Sequence, residues 1–66
     1  MKIKECRKRA GITQAQLAQK LGIAQNTVAM WETGRQCPRA LDIPAIADAL
    51  NCSVDALYGR EGGEGE

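Results

Sequence analysis

Apolar residues recur along this chain at the spacing of helices rather than of strands. In the first stretch, Ile3, Cys6 and Ala10 fall on one face when each residue is rotated by about 100°. Gly11 ends that stretch. No segment combines period-two alternation with β-branched residues, so no strand is predicted. The pattern therefore predicts an all-α fold whose first helix covers residues 2–10.

A second helix is predicted over residues 14–21. Thr13 and Gln16 have the spacing of a capping box, in which each side chain bonds the other residue's backbone N–H at a helix start. Leu17 and Leu21 form the apolar stripe of this helix.

A third helix is predicted over residues 25–33, after a three-residue break that opens with Gly22. Glycine suits this tight turn because it adopts positive φ without a steric penalty. Val28 and Trp31 share the apolar face of the third helix. The opposite face carries Gln25, Asn26, Ala29, Met30 and Thr33.

Residues 35–39 are predicted to form a basic, irregular loop that leads to a fourth helix. Asp42 is the expected N-cap of that helix, and Pro44 is compatible with its first turn. Asn51 suits a left-handed position at its end. Its apolar face consists of Ile46, Ala47 and Leu50.

A short fifth helix is expected after Ser53, which would cap it. Val54, Leu57 and Tyr58 are expected to pack inward from this helix. Residues 60–66 consist mainly of Gly and Glu, with nothing to bury, so a disordered acidic tail is expected there. The sequence thus predicts one compact five-helix domain over residues 1–59.

The charge of the chain is unevenly distributed. The 66 residues carry a net charge of +1 and suffice for one small domain with one modest core. Residues 1–39 hold eight basic and two acidic side chains, for +6, whereas residues 40–66 hold one basic and six acidic, for −5. This asymmetry is typical of contact between the basic part and a nucleic acid. A solvated helix face followed by an acidic tail is the alternative.

The chain lacks the groups that several other functions require. No apolar run reaches the roughly 18 residues of a membrane span, and no signal-peptide core follows the N-terminus. Histidine is absent, which removes His-based acid–base catalysis and most zinc sites. Because the few carboxylates do not cluster in the core-forming segments and no phosphate-binding glycine loop is present, neither an enzyme nor a cofactor or metal site is predicted. The cysteines Cys6, Cys37 and Cys52 form no CxxC, and their odd number suits a cytoplasmic protein. Cys6 and Cys52 are expected to pack in the core.

In residues 13–33, the lengths of the two predicted helices and of the break between them are those of a helix-turn-helix motif. In this motif the first helix crosses the DNA phosphates and the second lies in the major groove. Gln25 and Asn26 carry amides suited to bidentate pairing with adenine, and Met30 suits contact with a thymine methyl group. Ordinary exposed polarity for the two amides and a protein contact for Met30 are the alternatives.

Four residue patterns support a family resemblance. They are Ile12-Thr13-Gln14-x-x-Leu17-Ala18-x-x-Leu21-Gly22-Ile23, Val28-x-x-Trp31-Glu32-x-Gly34-Arg35-x-x-Pro38, Ile46-Ala47-x-Ala49-Leu50 and Ser53-Val54-Asp55-x-Leu57. Together they resemble the phage repressor/Cro-type helix-turn-helix family, also called XRE-type, over residues 1–59. The resemblance implies a five-helix lambda-repressor-like fold, sequence-specific binding of double-stranded DNA, and transcriptional regulation as a repressor.

The resemblance also implies a role for individual residues. The base-reading positions would be Gln25, Asn26 and Met30, followed by Thr27 and Ala29. The positions that contact the DNA backbone would be Gln14, Arg35, Gln36 and Arg39, with Arg39 also near the minor groove. Arg7 and Glu32 would form a partly buried ion pair, from which Arg7 would also reach a phosphate.

The pairing of Arg7 with Glu32 has independent support in the sequence. Arg7 lies at the edge of the apolar face of the first helix, and a buried charge needs a partner. Glu32 is the only acidic residue besides Glu5 among the first 39 residues.

Four positions depart from the family pattern and predict a domain of modest stability. Cys6 stands where a larger Leu is usual, and Ala24 stands where Ser or Thr usually caps the third helix. Pro44 and Asn51 replace an ordinary helix former and a Gly.

Two functions of different classes remain compatible with the sequence. The first is a DNA-binding regulator that forms a weak homodimer on a two-fold operator, with half-sites about one helical turn apart. The second is a protein-interaction module of the same fold, such as an antitoxin or a domain that recruits a partner. Neither a membrane nor a small-molecule ligand is expected as a partner.

Overall fold

The computed structural model describes residues 1–59, which form five α-helices and no strand. The helices are α1 (Ile3–Ala10), α2 (Gln14–Leu21), α3 (Gln25–Thr33), α4 (Ile43–Ala49) and α5 (Val54–Leu57), and a 3-10 turn at Ala40–Asp42 precedes α4. The all-α, five-helix prediction is confirmed. The predicted acidic tail, residues 60–66, lies outside the described residues.

The ends of α2 are set by the local signals that the sequence predicted. Thr13 Oγ1 accepts a hydrogen bond of 3.0 Å from the backbone N–H of Gln16, and Gln16 Oε1 accepts one of 2.8 Å from the backbone N–H of Thr13. Gly22 ends the helix with a φ of 70°, in the left-handed region. These two features fix the length of α2 and the direction in which the chain turns toward α3.

The core is built from one apolar side of each helix. Leu17, Val28, Ile46 and Leu57 are fully buried and join α2, α3, α4 and α5. The other buried residues are Ile3, Cys6, Ala18, Ile43, Ala47, Leu50 and Ala56. Six half-buried residues pack against this cluster: Ile12, Leu21, Ile23, Trp31, Ala49 and Cys52. This shared core holds α2 and α3 in a fixed relation to the rest of the domain.

The prediction for α5 was wrong in part. Val54 and Tyr58 were expected to pack inward, but they are 39% and 46% exposed. The helix has only four residues, and its buried side is formed by Ala56 and Leu57. Because a single turn presents few side chains to one side, Val54 and Tyr58 remain at the surface. Ala10, predicted on the apolar face of α1, is exposed at the end of that helix.

The start of α4 also differs from the prediction. Asp42 precedes the helix as expected, but its side chain makes no capping bond. A capping side chain requires an extended backbone at its residue, whereas Asp42 has helical angles (φ −85°, ψ −20°) as the last residue of the 3-10 turn. The predicted start of α5 and the predicted end of α4 are confirmed. Ser53 Oγ accepts a hydrogen bond of 3.0 Å from the backbone N–H of Ala56, and Asn51, after α4, has a left-handed backbone with a φ of 54°.

Candidate nucleic-acid interface

The turn between α2 and α3 is closed by backbone bonds and small side chains. The N–H of Ile23 donates to the carbonyl oxygen of Ala18 at 3.0 Å, which folds the chain back over the end of α2. Ala18 is 3% exposed and Val28 is fully buried, so the two helices pack closely at this point. A small residue of α2 and a branched residue of α3 thus belong to the one buried cluster that joins the two helices.

The predicted base-reading residues lie along α3 with graded exposure. Gln25 and Asn26 occupy its first turn and are exposed. Ala29 and Met30 follow on the side away from the buried Val28 and are half-buried. Thr27 lies elsewhere: it lines a cleft beneath the loop of residues 35–39. Two of the five residues are therefore exposed and three are half-buried, with Thr27 against the loop at the edge of α3.

The basic loop is anchored to the end of α3. Gly34 ends the helix with a φ of 81°, and the N–H groups of Arg35 and Gln36 both donate to the carbonyl oxygen of Met30, at 3.0 and 3.3 Å. The side chains of Arg35, Gln36 and Arg39 are exposed, and neither arginine forms an ion pair within residues 1–59. Two exposed guanidinium groups that have no ion pair within the described range thus follow directly on α3.

Arg7 and Glu32 form a bidentate ion pair between α1 and α3. Arg7 Nε donates to Glu32 Oε2 at 2.7 Å, and Arg7 Nη2 donates to Glu32 Oε1 at 3.3 Å. Arg7 Nη1 also donates to the carbonyl oxygen of Ile12 at 2.8 Å. The side chains are 11% and 3% exposed, respectively. This pair ties α1 to the last turns of α3.

The ion pair changes the acid–base properties of both groups. Desolvation raises the pKa of Glu32, but hydrogen bonds from Arg7 and Gln14, together with the charges of Arg7 and Lys4, outweigh it and hold that pKa below its ordinary value. The hydrogen bond to Glu32 raises the pKa of Arg7. Glu32 is therefore ionised at neutral pH despite its burial.

Gln14, a predicted phosphate contact, has a partner that the sequence did not indicate. Its Nε2 donates to Glu32 Oε1 at 2.9 Å, and its side chain is half-buried at the start of α2. The two residues are 18 positions apart, and no motif or spacing links them. Sequence reasoning also missed Lys4, whose charge acts on the same carboxylate.

Other kinds of site find no support in the described part of the chain. Among residues 1–59, no group of three or more His, Cys, Asp or Glu side chains could hold a metal ion. None of the helices in that range has the length and apolar character needed to cross a membrane.

Comparison with known proteins places this arrangement in a family. A family model described as helix-turn-helix matches residues 3–57. The chain is 42% identical over 64 residues to the cryptic phage CTXphi transcriptional repressor RstR of Vibrio cholerae, which covers 91% of this chain and 57% of that protein. It is 37% identical over 60 residues to the immunity repressor protein of Bacillus phage phi105, which covers 91% of this chain and 42% of that protein. No solved structure matches the chain significantly.

A third relative shows that this kind of domain also occurs in longer proteins of another class. The chain is 45% identical over 47 residues to a type II methyltransferase of Lactococcus lactis subsp. cremoris, covering 67% of this chain but 12% of the methyltransferase. The chain spans about half the length of the two repressors. The family match, which covers most of the chain, shows that it belongs to the XRE-type helix-turn-helix family.

Proposed function

We propose that this chain binds double-stranded DNA in a sequence-specific manner and regulates transcription as a repressor, without catalytic activity. The observation that carries this proposal is the pair of exposed amides, Gln25 and Asn26, on the first turn of α3. The same helix leads into a loop whose two arginines have no ion-pair partner among the described residues. Two relatives bear the name of repressor.

The proposed contacts fall into two groups. Gln25, Asn26, Met30, Thr27 and Ala29 face base edges in the major groove, with the two amides providing most of the discrimination. Gln14, Arg35, Gln36, Arg39 and Arg7 face the backbone, where they set the position of α3 without reading sequence. Thr27 contributes from the edge of α3, and Arg7, whose side chain is 11% exposed, contributes from within the ion pair with Glu32.

A single recognition helix reads only a few base pairs, so specific binding calls for two copies. We propose a weak cytoplasmic homodimer on a two-fold operator, with half-sites about 34 Å apart along the DNA. Bound in this way, the dimer represses by occupying a promoter.

Selection of bound sequences from random duplexes tests the proposal directly. The selected sequences are expected to share a short motif arranged as two inverted half-sites, and the motif is expected in the DNA upstream of the gene that encodes the chain. Recovery of unrelated sequences after repeated rounds of selection would contradict sequence-specific binding.

A further inference from the structure

The Gln14 side chain is held by α3 rather than by its own helix. Its Nε2 donates to Glu32 Oε1 at 2.9 Å, and the same carboxylate accepts two bonds from Arg7. The Glu32 side chain is 3% exposed. One buried carboxylate thus joins α1, the first residue of α2, and α3.

This contact fixes the direction of the Gln14 amide. A carboxylate only accepts hydrogen bonds, so the amide must turn its NH₂ group toward Glu32 and its oxygen away. An amide nitrogen carries two hydrogens, and Glu32 uses one of them. The second N–H stays available at the start of α2, where the first backbone N–H groups have no partner within the helix and the helix dipole favours an anion.

We infer that Glu32 is a positioning residue for the DNA backbone contact: it orients the Gln14 amide so that the second N–H donates to a phosphate. The inference rests on the proposed function and deepens it. Without this acceptor, the Gln14 side chain samples several rotamers, and ordering it on binding lowers the affinity. Arg7 supports the arrangement because its two bonds hold the carboxylate in place.

A double-mutant cycle tests the inference with the full chain. Affinity for a random-sequence duplex at about 50 mM salt serves as the probe, because phosphate contacts do not depend on sequence. The variants are Gln14→Ala, Glu32→Met, which removes the acceptor oxygens, and both together. Gln19→Ala is the matched control, since Gln19 is exposed on α2 and has not been assigned a contact. In addition, the NMR signals of the Gln14 side-chain NH₂ group are recorded without DNA.

The inference predicts coupling between the two positions. Gln14→Ala is expected to lower affinity about fivefold in the wild-type background, as for one hydrogen bond, and less than about twofold in the Glu32→Met background. Glu32→Met is expected to shift the Gln14 NH₂ signals, and Gln19→Ala is expected to leave affinity unchanged. Equal losses in both backgrounds, or Gln14 signals that do not respond to Glu32→Met, would overturn the inference.

A second variant controls for unfolding caused by an unpaired Arg7. Replacing both members of the ion pair, with Arg7→Met and Glu32→Met, removes the acceptor without leaving a buried charge. The thermal melt of this double variant, followed by circular dichroism, is expected to stay cooperative. In this background Gln14→Ala is again expected to lower the affinity for DNA by less than about twofold. If the wild type bound no duplex at all, the proposed function would be overturned as well. If the wild type bound DNA but the losses of affinity from the two positions were additive, only the role of Glu32 would be overturned.

Discussion

At the start of α3, side chains three residues apart have opposite environments. Val28 is fully buried against the core, whereas Gln25 is exposed. An exposed amide can pair with the edge of adenine, whereas a guanidinium such as that of Arg35 binds phosphates of any sequence. The two kinds of contact should therefore respond differently to mutation.

Gln25→Ala is expected to cost about 1–3 kcal/mol of binding free energy on a selected duplex and little on random duplexes. Arg35→Ala, the comparison variant, is expected to weaken binding to both by a similar factor, because it removes a phosphate contact. Fluorescence anisotropy with labelled duplexes measures both affinities. An unchanged affinity of Gln25→Ala for the selected duplex would show that the reading face has been assigned wrongly.

Glu32 links the stability of the fold to pH in the acid range. Desolvation raises its pKa, but the hydrogen bonds from Arg7 and Gln14 outweigh this effect, so its pKa in the folded state lies below the ordinary value. The stabilisation by the carboxylate is therefore complete above the unfolded-state pKa of about 4.3. It is lost as the pH falls through the lower folded-state pKa.

Glu32→Gln is expected to lower the free energy of unfolding by about 3 kcal/mol at neutral pH, because it leaves the largely buried Arg7 without a charged partner. The difference from wild type is expected to shrink as the pH falls through the lowered folded-state pKa of Glu32, because the wild-type side chain then becomes protonated as well. Urea unfolding at neutral pH and at a series of lower pH values measures it. Glu5→Gln is the control, since the Glu5 side chain is 61% exposed. A difference that stayed constant with pH would contradict the ionised state of Glu32.

At the scale of elements, the sequence predicted α2 and α3 well because their limits depend on neighbouring residues. Thr13 and Gln16 form the capping box that their spacing indicated. Gly22 and Gly34 end the two helices with positive φ, where other residues are disfavoured. Such signals act within one turn of helix, so they are visible in the sequence without knowledge of the fold.

The features that the sequence did not predict depend on the folded chain. The exposure of Val54 and Tyr58 follows from the shortness of α5, whose single turn buries only Ala56 and Leu57. The 3-10 turn at Ala40–Asp42 gives Asp42 helical backbone angles, so its side chain does not cap α4. The bond between Gln14 and Glu32 joins residues that only the packing of α2 on α3 brings together. No local pattern marks any of the three.

The start of α3 offers a test at the same scale. Ala24 has the extended backbone of an N-cap (φ −74°, ψ 144°) but no side chain that can accept a hydrogen bond. Ala24→Ser is therefore expected to raise the free energy of unfolding by about 1 kcal/mol. Thr13→Ala, which removes the corresponding cap from α2, is expected to lower it by about the same amount. Urea unfolding curves measure both. If Ala24→Ser did not raise the free energy of unfolding, another interaction would already satisfy the free backbone N–H groups at the start of α3.

The whole molecule is expected to have modest stability. Its core consists of small and medium-sized side chains, and Cys6 occupies a buried position where the family pattern has a larger Leu. A free energy of unfolding below about 8 kcal/mol is expected from urea melts, near the lower part of the usual range for folded domains. A value well above that would mean that the missing cap and the smaller core residue have little energetic effect.

The net charge of +1 combines a basic part, which contains α1–α3 and the loop of residues 35–39, with an acidic part that contains α4 and α5. The two arginines of the loop are exposed beside α3, where the proposed DNA contact lies. A protein partner bound by apolar contacts would be insensitive to salt, whereas a DNA backbone bound by these arginines would not. Salt dependence therefore separates the proposed function from a protein-interaction module.

The most direct test of the proposed function is the affinity for a selected duplex and for its shuffled sequence, measured across a range of salt concentrations. The selected duplex is expected to bind more tightly at every salt concentration. Neutralisation of two phosphates by Arg35 and Arg39 alone predicts about a tenfold loss of affinity between about 50 and 200 mM salt. Equal binding of the two duplexes, or an affinity that does not change with salt, would contradict sequence-specific binding of DNA by this helix-turn-helix.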